Sequence, residues 1–199
     1  VGGLVGYNEG TISNCSSTGS ITGAYELGGL VGQNEGTVSN CNSTGTVTGG
    51  DYSYCLGGLV GKSGGSISDC NSTGNVTGGY DSHYLGGLVG YSEYNGTISN
   101  CYSTGAVAGG DYSSGLGGLV GYSNGTISNC FSTGAVTGGD NLQYLGGLVG
   151  QNYYSISDCY STSTVTGDAN SYYLGGLVGD NVVGSISGCN STGTVNGGD

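Results

Sequence analysis

Gly57-Gly58-Leu59-Val60-Gly61 is a five-residue phrase that the chain repeats seven times. The same Gly-Gly-Leu-Val-Gly stands at 2–6, 28–32, 57–61, 86–90, 117–121, 146–150 and 175–179. Its leucines follow one another at steps of 26, 29, 29, 31, 29 and 29 residues. A fixed period of this size marks a stacked array, because a unit of under about 50 residues buries its apolar face only against its neighbours.

Working outward, one unit reads Leu-Gly-Gly-Leu-Val-Gly-Tyr-Asn-x-Gly-Thr-Ile-Ser-Asn-Cys-x-Ser-Thr-Gly-x-Val-Thr-Gly-Gly-Asp and then a variable tail. No 3.6-residue apolar stripe runs through it, and β-branched residues alternate with small polar ones. Three short strands per unit are expected: the Leu-Gly-Gly-Leu-Val-Gly phrase, Thr-Ile-Ser-Asn-Cys and Thr-Gly-x-Val-Thr. The chain is thus expected to be all-β, a triangular parallel β-solenoid of about seven coils of 26 to 31 residues. Coils about 4.8 Å apart would make a rod roughly 34 Å long. The whole of 1–199 reads as one repeat array, with units starting near residues 1, 27, 56, 85, 116, 145 and 174. Length changes fall in turns, as where Tyr91-Ser92-Glu93-Tyr94-Asn95-Gly96-Thr97 outruns Tyr122-Ser123-Asn124-Gly125-Thr126 by two residues.

Glycine supplies 48 of 199 residues and proline none, so the Gly-x-y rule of collagen is not met. Thirteen acids face the single base Lys62, a formal charge of −12. That excludes the clustered lysine and arginine of nucleic-acid and anionic-membrane binders. No apolar run reaches the length of a spanning helix. The chain opens on Val1 in the column of Leu27 and Leu56, which reads as a mature fragment or a slice of something longer.

The Gly-Leu-Val-Gly at 3–6, 29–32, 58–61, 87–90, 118–121, 147–150 and 176–179 resembles the GLUG motif. The resemblance covers all seven units. It implies a repeat of bacterial and archaeal cell-surface proteins, including adhesin-like proteins and the non-catalytic part of some secreted IgA-cleaving peptidases. It implies an extracellular or cell-surface role and carries no catalytic residues. No His-Glu-x-x-His is present.

Equivalent positions of a solenoid stack into columns. Ile12, Val38, Ile67, Ile98, Ile127, Ile156 and Ile186 form one core column, and Ile21, Val47, Val76, Val107, Val136, Val165 and Val195 another. The repeated phrase poses a conflict, since strict alternation cannot turn both leucines and the valine inward. Either the strand bends, or Leu30, Leu59, Leu88, Leu119 and Leu148 point out as an apolar stripe for lateral association. Cys15, Cys41, Cys70, Cys101, Cys130, Cys159 and Cys189 form a ladder, with Cys55 left over in a loop. Buried free thiols are favoured there, with inter-coil disulfides and metal as the alternatives. Beside them Asn14, Asn40, Asp69, Asn100, Asn129 and Asp158 satisfy backbone at a corner or form an amide ladder, broken at Gly188.

The variable tails gather acids and aromatics: Asp51, Tyr52, Tyr84, Asp111, Tyr112, Asp140, Tyr144, Asp168 and Tyr172. Stacked, they are expected to form one ridge that contacts sugar or protein. No cofactor is expected beyond weak Ca²⁺ held by the carboxylates. Outward threonines such as Thr46 and Thr164 form a second array, with ice binding as its functional reading. The expected function is a non-enzymatic component of an extracellular fibre or cell-surface stalk. Self-association, end to end and laterally, is the expected partnership; a host or matrix glycan or protein on the ridge is the alternative.

Overall fold

The computed structural model describes residues 1–198, and among them every regular element is a β-strand. The chain winds into a parallel β-solenoid. One coil comprises Val60–Ser63, Ser66–Ser68, Asn71–Ser72, Val76–Thr77 and His83–Gly86. Each strand pairs, parallel and in register, with the same strand of the next coil: Val60 with Val89, Ile67 with Ile98, Asn71 with Tyr102, Val76 with Val107 and Leu85 with Leu116. Three seven-stranded sheets run the length of the stack, and a fourth, eleven-stranded sheet carries two ladders. Those two ladders fuse in Ile21–Gly28 and Val47–Gly57 and are separated by turns in later coils.

The three expected strand segments are all present, but the first is split in two, the second and third are shortened to Ser66–Ser68 and Val76–Thr77, and a further short strand, Asn71–Ser72, lies between them. The repeated phrase ends one strand at its first glycine and begins the next at its valine, as in His83–Gly86 and Val89–Ser92. The chain folds back on itself between them. A Cβ on Gly86 would fall inside the van der Waals shell of Val89 O and 2.8 Å from Gly121 N. A Cβ on Gly87 would overlap the Ser103 side chain and Gly118 O, and one on Gly90 would lie 2.6 Å from Cys55 C. All three glycines of the phrase are therefore set by close backbone approach.

This bend resolves the conflict over the leucines. Leu30, Leu59, Leu88, Leu119 and Leu148 are each 0% exposed, so no outward stripe of these residues exists. The reversal at Gly-Gly turns both leucines inward on different sides of the coil. Leu59 packs with Val60, Ile67 and Cys70, whereas Leu56 packs with Val47 and Val76 in a second cluster. Between the clusters the second glycine meets a buried serine, Gly58 against Ser72 and Gly87 against Ser103. Each coil thus has a waist where only a glycine and a small side chain fit. Burial of each Leu, Ile or Val contributes about 1.5–3 kcal/mol before conformational entropy is charged.

Corners are made by left-handed residues. Asn14, Asn40, Asp69, Asn100, Asn129 and Asp158 have φ of 51° to 54°, and Gly188 at 62° completes the column. Asn, Asp and Gly share this column because they tolerate that conformation. Buried amides also stack: Asn8 Nδ2 donates to Asn34 Oδ1 at 2.7 Å, and Asn34 Nδ2 to Ser63 Oγ at 3.1 Å.

Candidate functional site

The cysteine ladder lies just past the left-handed corner. All its thiols are free, and Cys41, Cys70, Cys101, Cys130 and Cys159 are buried. Along the buried part of the ladder each thiol donates to a carbonyl of its own coil, and its sulfur accepts a backbone N–H from the coil before. The Cys101 thiol donates to Ser99 O at 3.0 Å, and its sulfur accepts the Cys70 N–H of the preceding coil at 3.4 Å. The pattern recurs as Cys41 N–H to Cys70 Sγ, Cys101 N–H to Cys130 Sγ and Cys130 N–H to Cys159 Sγ. The corner takes the cysteine N–H away from a backbone carbonyl, and the sulfur of the next coil replaces that acceptor. The column needs a small, largely apolar group that both donates and accepts. Cys101→Ala is expected to destabilise the fold by about 2–3 kcal/mol, because it orphans a buried N–H. Cys101→Ser should cost less than half as much in urea denaturation. Equal losses would mean that the sulfur is only apolar filler.

Cys55 belongs to none of this. Its expected loop position is corrected: it sits in Val47–Gly57, 1% exposed, in a left-handed conformation with φ of 60°. It shares a column with Glu26, Tyr84, Gly115, Tyr144 and Tyr173, all at positive φ. A small thiol there leaves a shallow cleft of 190 Å³ lined by Glu26, Tyr54, Cys55, Lys62, Tyr91 and Glu93. Lys62 Nζ is 2.8 Å from Glu93 Oε1, so the chain's one lysine is already paired, and the sequence has no arginine. Burial and the Glu26 carboxylate push the Cys55 thiol well up.

The expected single ridge divides into separate groups. On three consecutive coils the turn carries Asp51-Tyr52, Tyr80-Asp81 and Asp111-Tyr112. Acid and aromatic exchange places at each step, so rings and carboxylates both zigzag. Tyr52 and Tyr80 have centroids 5.7 Å apart at 75°, and Tyr80 and Tyr112 5.4 Å apart at 55°. Their exposures are 61%, 42% and 51%. Tyr52, Asp81 and Tyr112 all have positive φ, 58°, 52° and 62°. Asp51 Oδ1 accepts the Tyr80 N–H at 2.9 Å, and Asp111 Oδ1 accepts the Asp140 N–H at 3.0 Å. Asp81 lies 3.1 Å from His83 Nε2. Beyond Asp140 the same two columns carry Asn141, Ala169 and Asn170, so the aromatic row stops.

Tyr84 and Tyr144 stand apart from that row. Tyr84 sits against Tyr54 (4.9 Å), Tyr91 (5.4 Å) and Tyr122 (5.0 Å). Tyr91 and Tyr122 stack at 4.7 Å and 6°, and Tyr122 continues to Tyr153 at 5.1 Å. Burial pushes the Tyr122 phenol up to about 12. Tyr144 pairs with Tyr173, which touches Tyr172, at the far end. Asp168 is exposed beside them in sequence. The sequence alone did not single out Tyr91, Tyr122 and Tyr153; the first two occupy the position directly after the repeated phrase, which other coils fill with residues such as Gln33, Lys62 and Gln151. On another face Tyr102, Phe131 and Tyr160 stack in file, 4.9 Å apart and 5° from parallel. Among the described residues no three His, Cys, Asp or Glu gather as a metal cluster.

Threonines of the remaining outward face, among them Thr44, Thr46, Thr48, Thr73 and Thr77, are exposed on alternating positions, with Asn75, Ala106 and Ala135 interrupting the middle column.

Comparison with known proteins bears on this array as a whole. The family model of the GLUG motif matches residues 1–22, 23–48, 52–77, 81–108, 112–137, 141–166 and 170–196. A crystal structure described as a "putative immunoglobulin A1 protease" from Bacteroides ovatus superposes with a TM-score of 0.63 at 21% identity. The superposition covers 94% of this chain and 66% of that one. At that identity the likeness is one of fold. No curated protein matches the sequence.

Proposed function

The chain belongs to the GLUG-motif family, with seven tandem copies, and from that premise we propose that it is a rigid, non-enzymatic segment of an extracellular or cell-surface protein. One observation carries this reading: each strand pairs parallel and in register with the same strand of the next coil, over two core clusters that run along the stack. Such a stack resists bending and protease entry, because local opening breaks several ladders and exposes core leucines together. The same identity of coils makes one copy a template for a second, which supports end-to-end association. The charged groups favour a passive surface. Lys62 is paired with Glu93, and the carboxylates of Asp51 and Asp111 each hold a backbone N–H.

Proteinase K digestion and negative-stain microscopy test this. The native chain is expected to outlast its urea-unfolded form by about a hundredfold in digestion time, as rare opening of a stable fold dictates. Images should show straight rods roughly 34 Å long, or multiples of that where copies abut. Rapid cleavage at many sites, or irregular particles, would overturn the rod.

A second reading is adhesive contact through the row at Tyr52, Tyr80 and Tyr112. Three exposed rings in one file have no packing task that explains their exposure, and large exposed aromatics mark contact surfaces.

A further inference from the structure

We propose that the row Tyr52, Tyr80 and Tyr112 binds a neutral polysaccharide laid along the rod axis, an inference that rests on the adhesive reading of this row. Ring orientation separates this row from the other aromatic files. Tyr102, Phe131 and Tyr160 lie within 5° of parallel, so they spend their faces on one another. Tyr52, Tyr80 and Tyr112 meet at 75° and 55°, so none is stacked face to face on its neighbour, and all three rings are solvent-exposed. The apolar C–H face of a pyranose packs on an exposed ring face, which offers area with little side-chain entropy to lose.

Spacing fixes the direction. The centroids lie 5.7 and 5.4 Å apart in a zigzag over coils spaced about 4.8 Å, a repeat on the order of one sugar unit per coil. A chain lying along the axis meets all three rings, whereas one lying across meets a single ring. Three weak contacts on one ligand add through effective concentration.

The carboxylates supply the polar half. Asp51 and Asp111 are each pinned through Oδ1 to a backbone N–H, which orients the group and leaves its second oxygen for a sugar hydroxyl. Asp81 sits on the opposite side of the zigzag with His83 beside it. Groups fixed before binding lose less freedom on binding. Charge sets the class: a chain of net −12, with three carboxylates flanking this row, repels uronic-acid or sulfated polymers.

The structure provides its own design for the test. Coil six carries Ala169 where Tyr80 stands and Asn170 where Tyr52 and Tyr112 stand, the latter at φ of 57°. Tyr52→Asn, Tyr80→Ala and Tyr112→Asn therefore place residues that the same columns already accept. Isothermal titration would use β-1,4-glucose and β-1,4-mannose oligosaccharides, as dimer and hexamer, with a galacturonic-acid hexamer as the charged probe. At least one neutral hexamer is expected to bind, about tenfold or more tighter than its dimer and than the acidic hexamer. The triple variant should lose that binding, with an unchanged circular dichroism spectrum, and Tyr102→Ser with Tyr160→Ser should keep it. The inference is overturned if neither neutral hexamer binds, if dimer and hexamer bind alike, or if the triple variant binds as the parent does. Adhesion to a glycan-free albumin surface that is lost in the triple variant, without hexamer binding, would sink the glycan and leave the adhesive reading standing.

Discussion

Gly86→Ala is expected to unfold the middle of the rod, at a loss of about 4–5 kcal/mol or more, the range reserved for backbone and core disruption. The added methyl would meet Val89 O within van der Waals contact and Gly121 N at 2.8 Å. Both are backbone atoms, and neither belongs to a flexible side chain that could swing away. Relief would require the Gly86–Val89 reversal to open. That would pull Leu85 from one core cluster and Leu88 from the other, each of them 0% exposed. Gly50→Ala is the matched control: nothing lies within 4 Å of a Cβ there, and its φ is not left-handed. The control should stay within about 0.5 kcal/mol of the parent. Thermal and urea denaturation of the two variants checks both figures. Equal stability of the two would mean that the motif glycines are not set by close approach.

The same crowding explains what the sequence could and could not disclose. Recurrence of Gly-Gly-Leu-Val-Gly gave the coil count, the parallel register and the two inward columns of Ile12 and Ile21, since a period needs no knowledge of direction. It could not say that the phrase reverses. Side-chain alternation assumes a straight strand, and a bend at Gly57-Gly58 puts Leu56 and Leu59 in different clusters although they are three residues apart. Hence the outward leucine stripe was a live alternative in the sequence and is absent from the fold.

Left-handed columns were harder still. The corner at Asn14, Asn40 and Asp69 has the residue types that favour positive φ. The column of Glu26, Cys55, Tyr84 and Tyr144 does not, and only Gly115 within it carries the usual signal. That hidden column aims Tyr84 away from Tyr52 and Tyr112, which is why one expected ridge became several aromatic groups. The exchange of Asp and Tyr between Asp51-Tyr52, Tyr80-Asp81 and Asp111-Tyr112 was visible in the letters, but it acquires meaning only once the coils are in register.

Stability is expected to fall steeply as pH rises from about 9 toward 12, through the cysteine ladder. The neighbouring Cys130 thiol raises Cys101, the Cys70 thiol pulls the other way, and burial adds to the rise, so the group is pushed up to about 12. At Cys130 the Cys101 thiol pulls down, but the Cys159 thiol and burial outweigh it and hold the group up to about 12 as well. Cys70 is raised by the Cys101 thiol and by burial, and Cys41 by burial first. Cys159 alone moves the other way, lowered chiefly by the neighbouring Cys130 thiol. An unfolded thiol titrates near about 8.5. A raised folded value means that the native state holds protons which the unfolded state releases. The stabilisation is therefore complete below about 8.5 and is lost as pH climbs through that value toward the folded one, because the unfolded state then binds fewer protons. One thiol moved from about 8.5 to about 12 has a limiting effect of several kcal/mol, and the ladder repeats the arrangement on successive coils. Urea midpoints taken between pH 7 and pH 11 should begin to drop above about 8.5, where the unfolded thiols ionise. Carrying Cys70→Ser, Cys101→Ser and Cys130→Ser together should flatten that drop, since a hydroxyl in the same column does not titrate in this range. A midpoint that holds to pH 11 in the parent, or that falls equally in the triple variant, would refute the ladder as the source of alkaline lability.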